Sequence, residues 1–167
     1  MWPGNALMEI RVGHGFDVHR AGTDPDRTLV LGGCVFPGLP GLVGHSDGDA
    51  IAHAVADAML GAAGLGDLGE VFPDTDPALK DADSIELLRR VAAMVAGEGW
   101  SIGNADCSVV CEVPKLAPLR SQMELRLGDA VGAPVSVKGR RAEGLGAIGR
   151  GEGVVCFAVV VVTRSAS

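Results

Sequence analysis

Residues 153–163 read GVVCFAVVVVT. The apolar run from Val154 to Val162 is about half the length a membrane-crossing helix needs. Its valines and Phe157 favour extended chain, so it is read as a buried strand. The run is apolar at both parities. Val154, Ala158, Val160 and Val162 share one side, and Val155, Phe157, Val159 and Val161 share the other. A layer of helices buries only one face of a sheet. The second set then calls for burial against another copy of the chain, because symmetric self-association is the usual solution.

The helices that would cover the first face lie upstream. HSDGDAIAHAVADAMLGAAGLGDLG, residues 45–69, carries Ser46 or Asp47 as a cap, then alanines with Ile51, Val55, Met59 and Leu60, and ends at Gly61 and Gly64. Asp83 with Glu86 resembles a capping box before a helix over 84–96. A third helix is expected over 115–131. Strands are expected at 9–16, 28–36 (stopped by Pro37), 104–113 and 135–138. The order is β-β-α-α-β-α-β-β, without repeat or linker. The fold class is α+β: a mixed β-sheet with helices on one face, two layers, the open face covered by another copy of the chain. Residues 1–8 read as an N-terminal extension without the features of a secretory signal. Residues 9–164 form one domain and 165–167 a tail.

The chain has 167 residues, with 14 Lys+Arg against 21 Asp+Glu and a net charge of -7. That balance argues against nucleic-acid and anionic-membrane binding, which need a basic footprint. Cys34, Cys107, Cys111 and Cys156 form no C-x-x-C pair. They read as buried thiols in a reducing compartment, and a cytoplasmic location is expected.

Three polar clusters carry the chemistry. In GHGFDVHR, Asp17 and His19 point to one side of an extended chain. In HSDGDAIAH, His53 follows Asp49 by one helical turn. Asp17, His19 and His53 together make an N/N/O set for a divalent ion with an open position; zinc fits best, and manganese or iron are alternatives. Asp57 is placed to orient His53. Asp67, Glu70, Asp74 and Asp76 repel one another unless a polyol, a ring amine or a cation binds them. The third cluster, VKGRRAEGLGAIGRGEGV, joins glycines that let backbone N–H groups approach phosphate to Lys138, Arg140, Arg141 and Arg150. Glu143 and Glu152 there could hold a hard cation such as magnesium.

GHGFDVHR, the 45–77 segment HSDGDAIAHAVADAMLGAAGLGDLGEVFPDTDP, and EGLGAIGRGEG resemble the 2-C-methyl-D-erythritol 2,4-cyclodiphosphate synthases of non-mevalonate isoprenoid biosynthesis. The resemblance runs from Glu9 to about Val162. It implies a homotrimer with active sites at subunit interfaces and a lyase that releases CMP from 4-diphosphocytidyl-2-C-methyl-D-erythritol 2-phosphate. It implies metal ligands Asp17, His19 and His53, with Val18 beside the substrate. His45 and Ser46 would contact phosphate, His45 stabilising the transition state. Asp67, Leu68 and Gly69, with Phe72, Pro73, Asp74, Thr75 and Asp76, would bind methylerythritol. Cys111, Glu112, Val113, Pro114, Lys115, Leu116 and Ala117 would form the cytidine pocket, offered by a neighbouring subunit. Glu143 would hold magnesium or manganese at the substrate diphosphate, and Arg150 would touch substrate.

One stretch departs from the resemblance. Arg140, Arg141 and Ala142 stand where the family reads three threonines, and Ala147 with Ile148 where it has an aromatic residue. Arg141 replaces a threonine that contacts phosphate; arginine can bind phosphate bidentately, so Arg141 is read as catalytic. Two other classes fit the same residues: a ligand-binding homologue without turnover, and a zinc-dependent phosphohydrolase.

Overall fold

The computed structural model describes residues 8–166. The elements in chain order are β1 (Met8–Arg20), β2 (Thr28–Leu31), β3 (Cys34–Pro40), α1 (Ala50–Ala63), α2 (Leu68–Val71), α3 (Ser84–Gly97), β4 (Ser101–Val110), α4 (Arg120–Val131), β5 (Val135–Arg140), α5 (Gly146–Gly149) and β6 (Gly153–Ser165). Single 3-10 turns lie at Pro77–Leu79 and Ala117–Leu119. Four strands form a mixed sheet in the order β1-β6-β4-β5. β4 and β5 run parallel, and the other pairs are antiparallel.

The decisive strand behaves as its pattern requires. Val154, Cys156, Ala158, Val160 and Val162 are buried beneath the helices. On the opposite face Phe157 and Val159 stay 39% and 42% exposed, and Val12, Phe16 and Val18 of β1 lie exposed in the same face. The rings of Phe16 and Phe157 sit 5.2 Å apart. Beyond this apolar band, β4 and β5 contribute the polar pair Asp106 and Lys138.

Several boundaries differ from expectation. Met8 pairs with Ser165, so the sheet reaches one residue past each expected domain limit, while residues 1–7 of the expected extension lie outside those described. The expected single strand over 28–36 is a hairpin, β2 pairing with β3. Gly32 and Gly33 turn it with φ of +56° and +70°, the two positive values a tight two-residue turn requires. Pro37 does not end β3, which runs on to Pro40; on a two-stranded ribbon its missing N–H removes no inner ladder bond.

Helix α1 is capped by Asp49, rather than by Ser46 or Asp47, and ends at Gly64 in the left-handed region. Asp49 is fully buried and does more than cap. Its carboxylate accepts from Ile51 and Ala52 N–H at the helix start, and from Gly32 and Gly33 N–H in the hairpin turn. One side chain therefore ties the hairpin to the helix. Burial pushes this carboxyl above the usual range, and the backbone donors pull it back. Asp49→Ala would leave four donors without their acceptor in the interior. We expect a loss of about 3–5 kcal/mol, measured by urea unfolding at fixed protein concentration; a loss below about 1 kcal/mol would contradict this role.

Candidate metal centre and substrate pocket

Asp17 and His19 continue the odd-numbered face of β1, behind Gly13 and Gly15. A Cβ built at Gly13 would lie 1.8 Å from the Ala58 carbonyl oxygen, and one at Gly15 would lie 2.0 Å from that of Ala54. Helix α1 thus rests directly on the strand backbone. His53, next to Ala54, is carried against the two β1 side chains.

The result is a tight triad. His19 Nε2 lies 2.9 Å from Asp17 Oδ2, and His53 Nδ1 lies 3.2 Å from the same oxygen. The two ring nitrogens are 3.1 Å apart, and the three donor atoms all fall within 4.8 Å of one another. His19 Nδ1 is 2.7 Å from the Val43 carbonyl, which can only accept, so Nδ1 carries the proton. His19 Nε2 then turns a lone pair toward Asp17 and His53. A carboxylate oxygen and an imidazole lone pair aimed at one point need a positive charge between them. The donor set suits zinc, and the residues fit a resident divalent ion.

Without such an ion, a proton takes that place. Burial raises the Asp17 carboxyl, but its imidazole neighbours, the His19 hydrogen bond first among them, outweigh it and hold Asp17 at about 2. Burial lowers His19, and Asp17 more than offsets that, so the ring titrates above its ordinary 6.5. The His19 contribution to metal-free stability is therefore complete below about pH 6.5 and is lost as pH rises through the raised value. The Asp17 contribution is present above about pH 3.8 and is lost as pH falls toward 2. Thermal unfolding of chelator-treated protein should show the melting temperature dropping as pH rises above 6.5, with the drop removed by Asp17→Asn. A flat profile across that range would contradict the pairing.

Cavities flank the triad. One of about 110 Å³ is lined by His45, Ser46, His53, Leu68, Phe72 and Asp74, among others. A cleft of about 500 Å³ is lined by Phe16, Asp17, His53, Asp57, Asp67, Leu68 and Gly69. His45 Nε2 donates to the Asp76 carbonyl at 2.8 Å. The structure thus brings most of the expected 67–76 segment to the triad; Pro73 and Thr75 are exposed on its loop. Two of its carboxylates have local work instead of repelling one another: Asp67 caps α2 through Glu70 N–H, and Asp76 caps the next turn through Ala78 N–H. Asp57 accepts from Leu68 N–H and does not orient His53; Ser46 and Ser84 face the outer nitrogen of that ring. Ser84 was not foreseen, since nothing in its local sequence marks it.

A separate pocket of about 290 Å³ is lined by Cys111, Glu112, Pro114, Lys115, Leu116, Ala117, Arg140 and Arg141, joined by Gly139 and Arg120. Four cationic side chains surround it in an acidic chain. Glu112 accepts from Ala142 N–H at 3.0 Å, which ties the arginine loop to this wall. Burial lifts the Cys111 thiol to about 11, so it is no nucleophile, and all four cysteines are free and buried. Val113 is exposed and borders a different cavity, with Leu42 and Gly153, and Val18 is exposed on the open sheet face. Glu143, at φ +52°, and Arg150, paired with Glu152, are exposed on the 140–152 loop. Within one chain, Glu143 stands outside the triad, and the 111–117 pocket shares no lining residue with either cavity at the triad.

The sequence profile described as the YgbB family matches residues 10–163. The chain belongs to this family. It is 48% identical over 158 residues to a 2-C-methyl-D-erythritol 2,4-cyclodiphosphate synthase of Geotalea uraniireducens, covering 93% of this chain and 99% of the relative. It is 49% identical over 166 residues to a bifunctional enzyme IspD/IspF of Anaeromyxobacter dehalogenans, covering 96% of this chain but only 42% of that one. Among solved structures, the CDP complex of IspF from Plasmodium falciparum superposes with a TM-score of 0.81 at 32% identity, covering 94% of this chain and 97% of that one. No helix among the described residues is long and apolar enough to cross a membrane.

Proposed function

We propose that this protein is a 2-C-methyl-D-erythritol 2,4-cyclodiphosphate synthase of isoprenoid biosynthesis. The observation that carries this reading is the Asp17, His19, His53 triad, set beside cavities lined by the 67–76 segment in a chain 48% identical to a relative of that name. The substrate is a cytidine diphosphate ester bearing a second phosphate. An oxygen of the 2-phosphate forms a bond to the β-phosphorus, the bond from that phosphorus to the CMP oxygen breaks, and CMP departs with the electron pair. Nucleophile and electrophile belong to one molecule, so the protein's task is to fold a flexible chain into line. A divalent ion held by the triad would screen the phosphates as they approach and stabilise charge on the leaving CMP. The metal is read as zinc, with manganese as the alternative, and Glu143 would serve a magnesium or manganese ion on the diphosphate.

His45 and Ser46 line the smaller cavity and would contact a phosphate bound there. The ligand is read as a cytidine nucleotide, which the CDP complex of the Plasmodium falciparum relative supports, and the cationic pocket of residues 111–117 would take its cytidine. Because this pocket and the triad are separate within one chain, a neighbouring subunit must bring them together. The exposed band of Val12, Phe16, Phe157 and Val159 supports a homotrimer built on the open sheet face. Arg141 lines the 111–117 pocket, and its fixed donors would bind phosphate. The relatives are named as synthases, which gives no support to a phosphohydrolase or an inactive homologue.

Incubation with the substrate and magnesium, followed by phosphorus NMR, should show a cyclic diphosphate and CMP, from a particle with the mass of about three chains by light scattering. His53→Ala should abolish turnover. Arg141→Ala should lower kcat about ten- to a hundredfold, the equivalent of about 1.5–3 kcal/mol for one charge-assisted contact. A linear product, or none from the metal-loaded parent, would reject the assignment.

A further inference from the structure

His53 uses its two ring nitrogens in opposite directions. Nδ1 faces Asp17 and His19, whereas Nε2 lies 2.8 Å from Ser84 Oγ. That same hydroxyl donates to Asp47 Oδ1. Asp47 is itself held in place: its Oδ2 accepts from Ser84 N–H and its Oδ1 from Asp49 N–H, both at 3.1 Å. A carboxylate only accepts, and a serine hydroxyl has one proton, so the Ser84 proton goes to Asp47. What Ser84 then offers His53 is a lone pair. The imidazole proton must sit on Nε2, and Nδ1 is left bare toward the triad. Ser46 Oγ also lies 3.1 Å from Nε2, but no carboxylate fixes the direction of its proton. Ser84 is 1% and His53 8% exposed, so little water is at hand to substitute for either contact.

We propose that Ser84 and Asp47 are positioning residues for the metal centre: a carboxylate–hydroxyl–imidazole chain that fixes the tautomer and ring orientation of His53 and holds Nδ1 as the ligand. Outer partners of this kind tune metal sites by orienting the ligand and raising its basicity. This chain enters from the first turn of α3, so the docking of α3 against the 45–49 turn sets the affinity of a site built on β1 and α1. The inference rests on the proposed metal centre and not on the proposed substrate.

The test is zinc affinity, measured by competition with a chromophoric chelator. Ser84→Ala removes the acceptor. Asp47→Asn allows an amide N–H to reach Ser84, which frees the hydroxyl proton to donate to Nε2 and moves the imidazole proton to Nδ1, where it blocks the metal. Both variants should weaken zinc binding about tenfold or more. Asp83→Ala, which removes the Ile85 N–H cap from the same helix end without touching the chain, should stay within about twofold. Nitrogen-15 spectra of the histidine rings should place the His53 proton on Nε2 in the parent and shift it toward Nδ1 in Asp47→Asn. The proposal is overturned if Ser84→Ala and Asp47→Asn bind zinc as the parent does, or if all three variants weaken alike, which would make the effect one of helix stability. A parent that binds no zinc overturns the metal centre and this inference together, whatever the cyclisation assay gives.

Discussion

The site depends on how closely α1 lies on β1. Gly13 and Gly15 leave no side chain between the strand backbone and the carbonyls of Ala58 and Ala54. Alanine repeats at i and i+4 present a flat helix face to that strand. The same spacing brings His53, one residue from Ala54, within reach of Asp17 and His19 at the end of the strand. A wider separation, as large side chains at 13 and 15 would impose, would pull the ring nitrogen of His53 out of the 4.8 Å cluster.

The other links converge on the turn that starts α1. Asp49 joins the helix start to the Gly32–Gly33 hairpin turn, and Asp47 joins it to the start of α3. Ser46 meets both His53 of α1 and Ser84 of α3, Asp47 meets Ser84, and Asp49 meets the hairpin turn and the start of α1. Apolar burial sets the layers; these polar contacts set the position of one histidine within them. On the opposite sheet face Val12, Phe16, Val18, Phe157 and Val159 remain exposed in the single chain.

Much of this was legible because it repeats with a simple period. The doubly apolar β6, the α1 stripe ended by Gly64, and α3 begun at Asp83 follow from local pattern, as does the same-side placement of Asp17 and His19. The hairpin is less legible: Gly32–Gly33 carries its turn signal, but Pro37 reads as a stop that cuts the second strand short, and on a two-stranded ribbon it does not end the strand. Ser84 and the Glu112 tether could not be read at all. Their partners are 31 and 30 residues away in sequence, respectively, and a hydrogen bond across that separation leaves no periodic trace. Asp57 shows the opposite error: correct helical spacing from His53, but a carboxylate that caps Leu68 N–H instead.

The most direct measurement is the zinc affinity of Gly15→Ala, compared with Gly61→Ala in the same helix–strand unit. A Cβ at position 15 meets the Ala54 carbonyl at 2.0 Å, whereas one at position 61 meets nothing within 4 Å. If the strand–helix contact sets the metal centre, folded Gly15→Ala binds zinc about tenfold more weakly or worse, and Gly61→Ala binds as the parent does. Folded Gly15→Ala with parent-like affinity would contradict it, because the triad would then form without the contact held to create it.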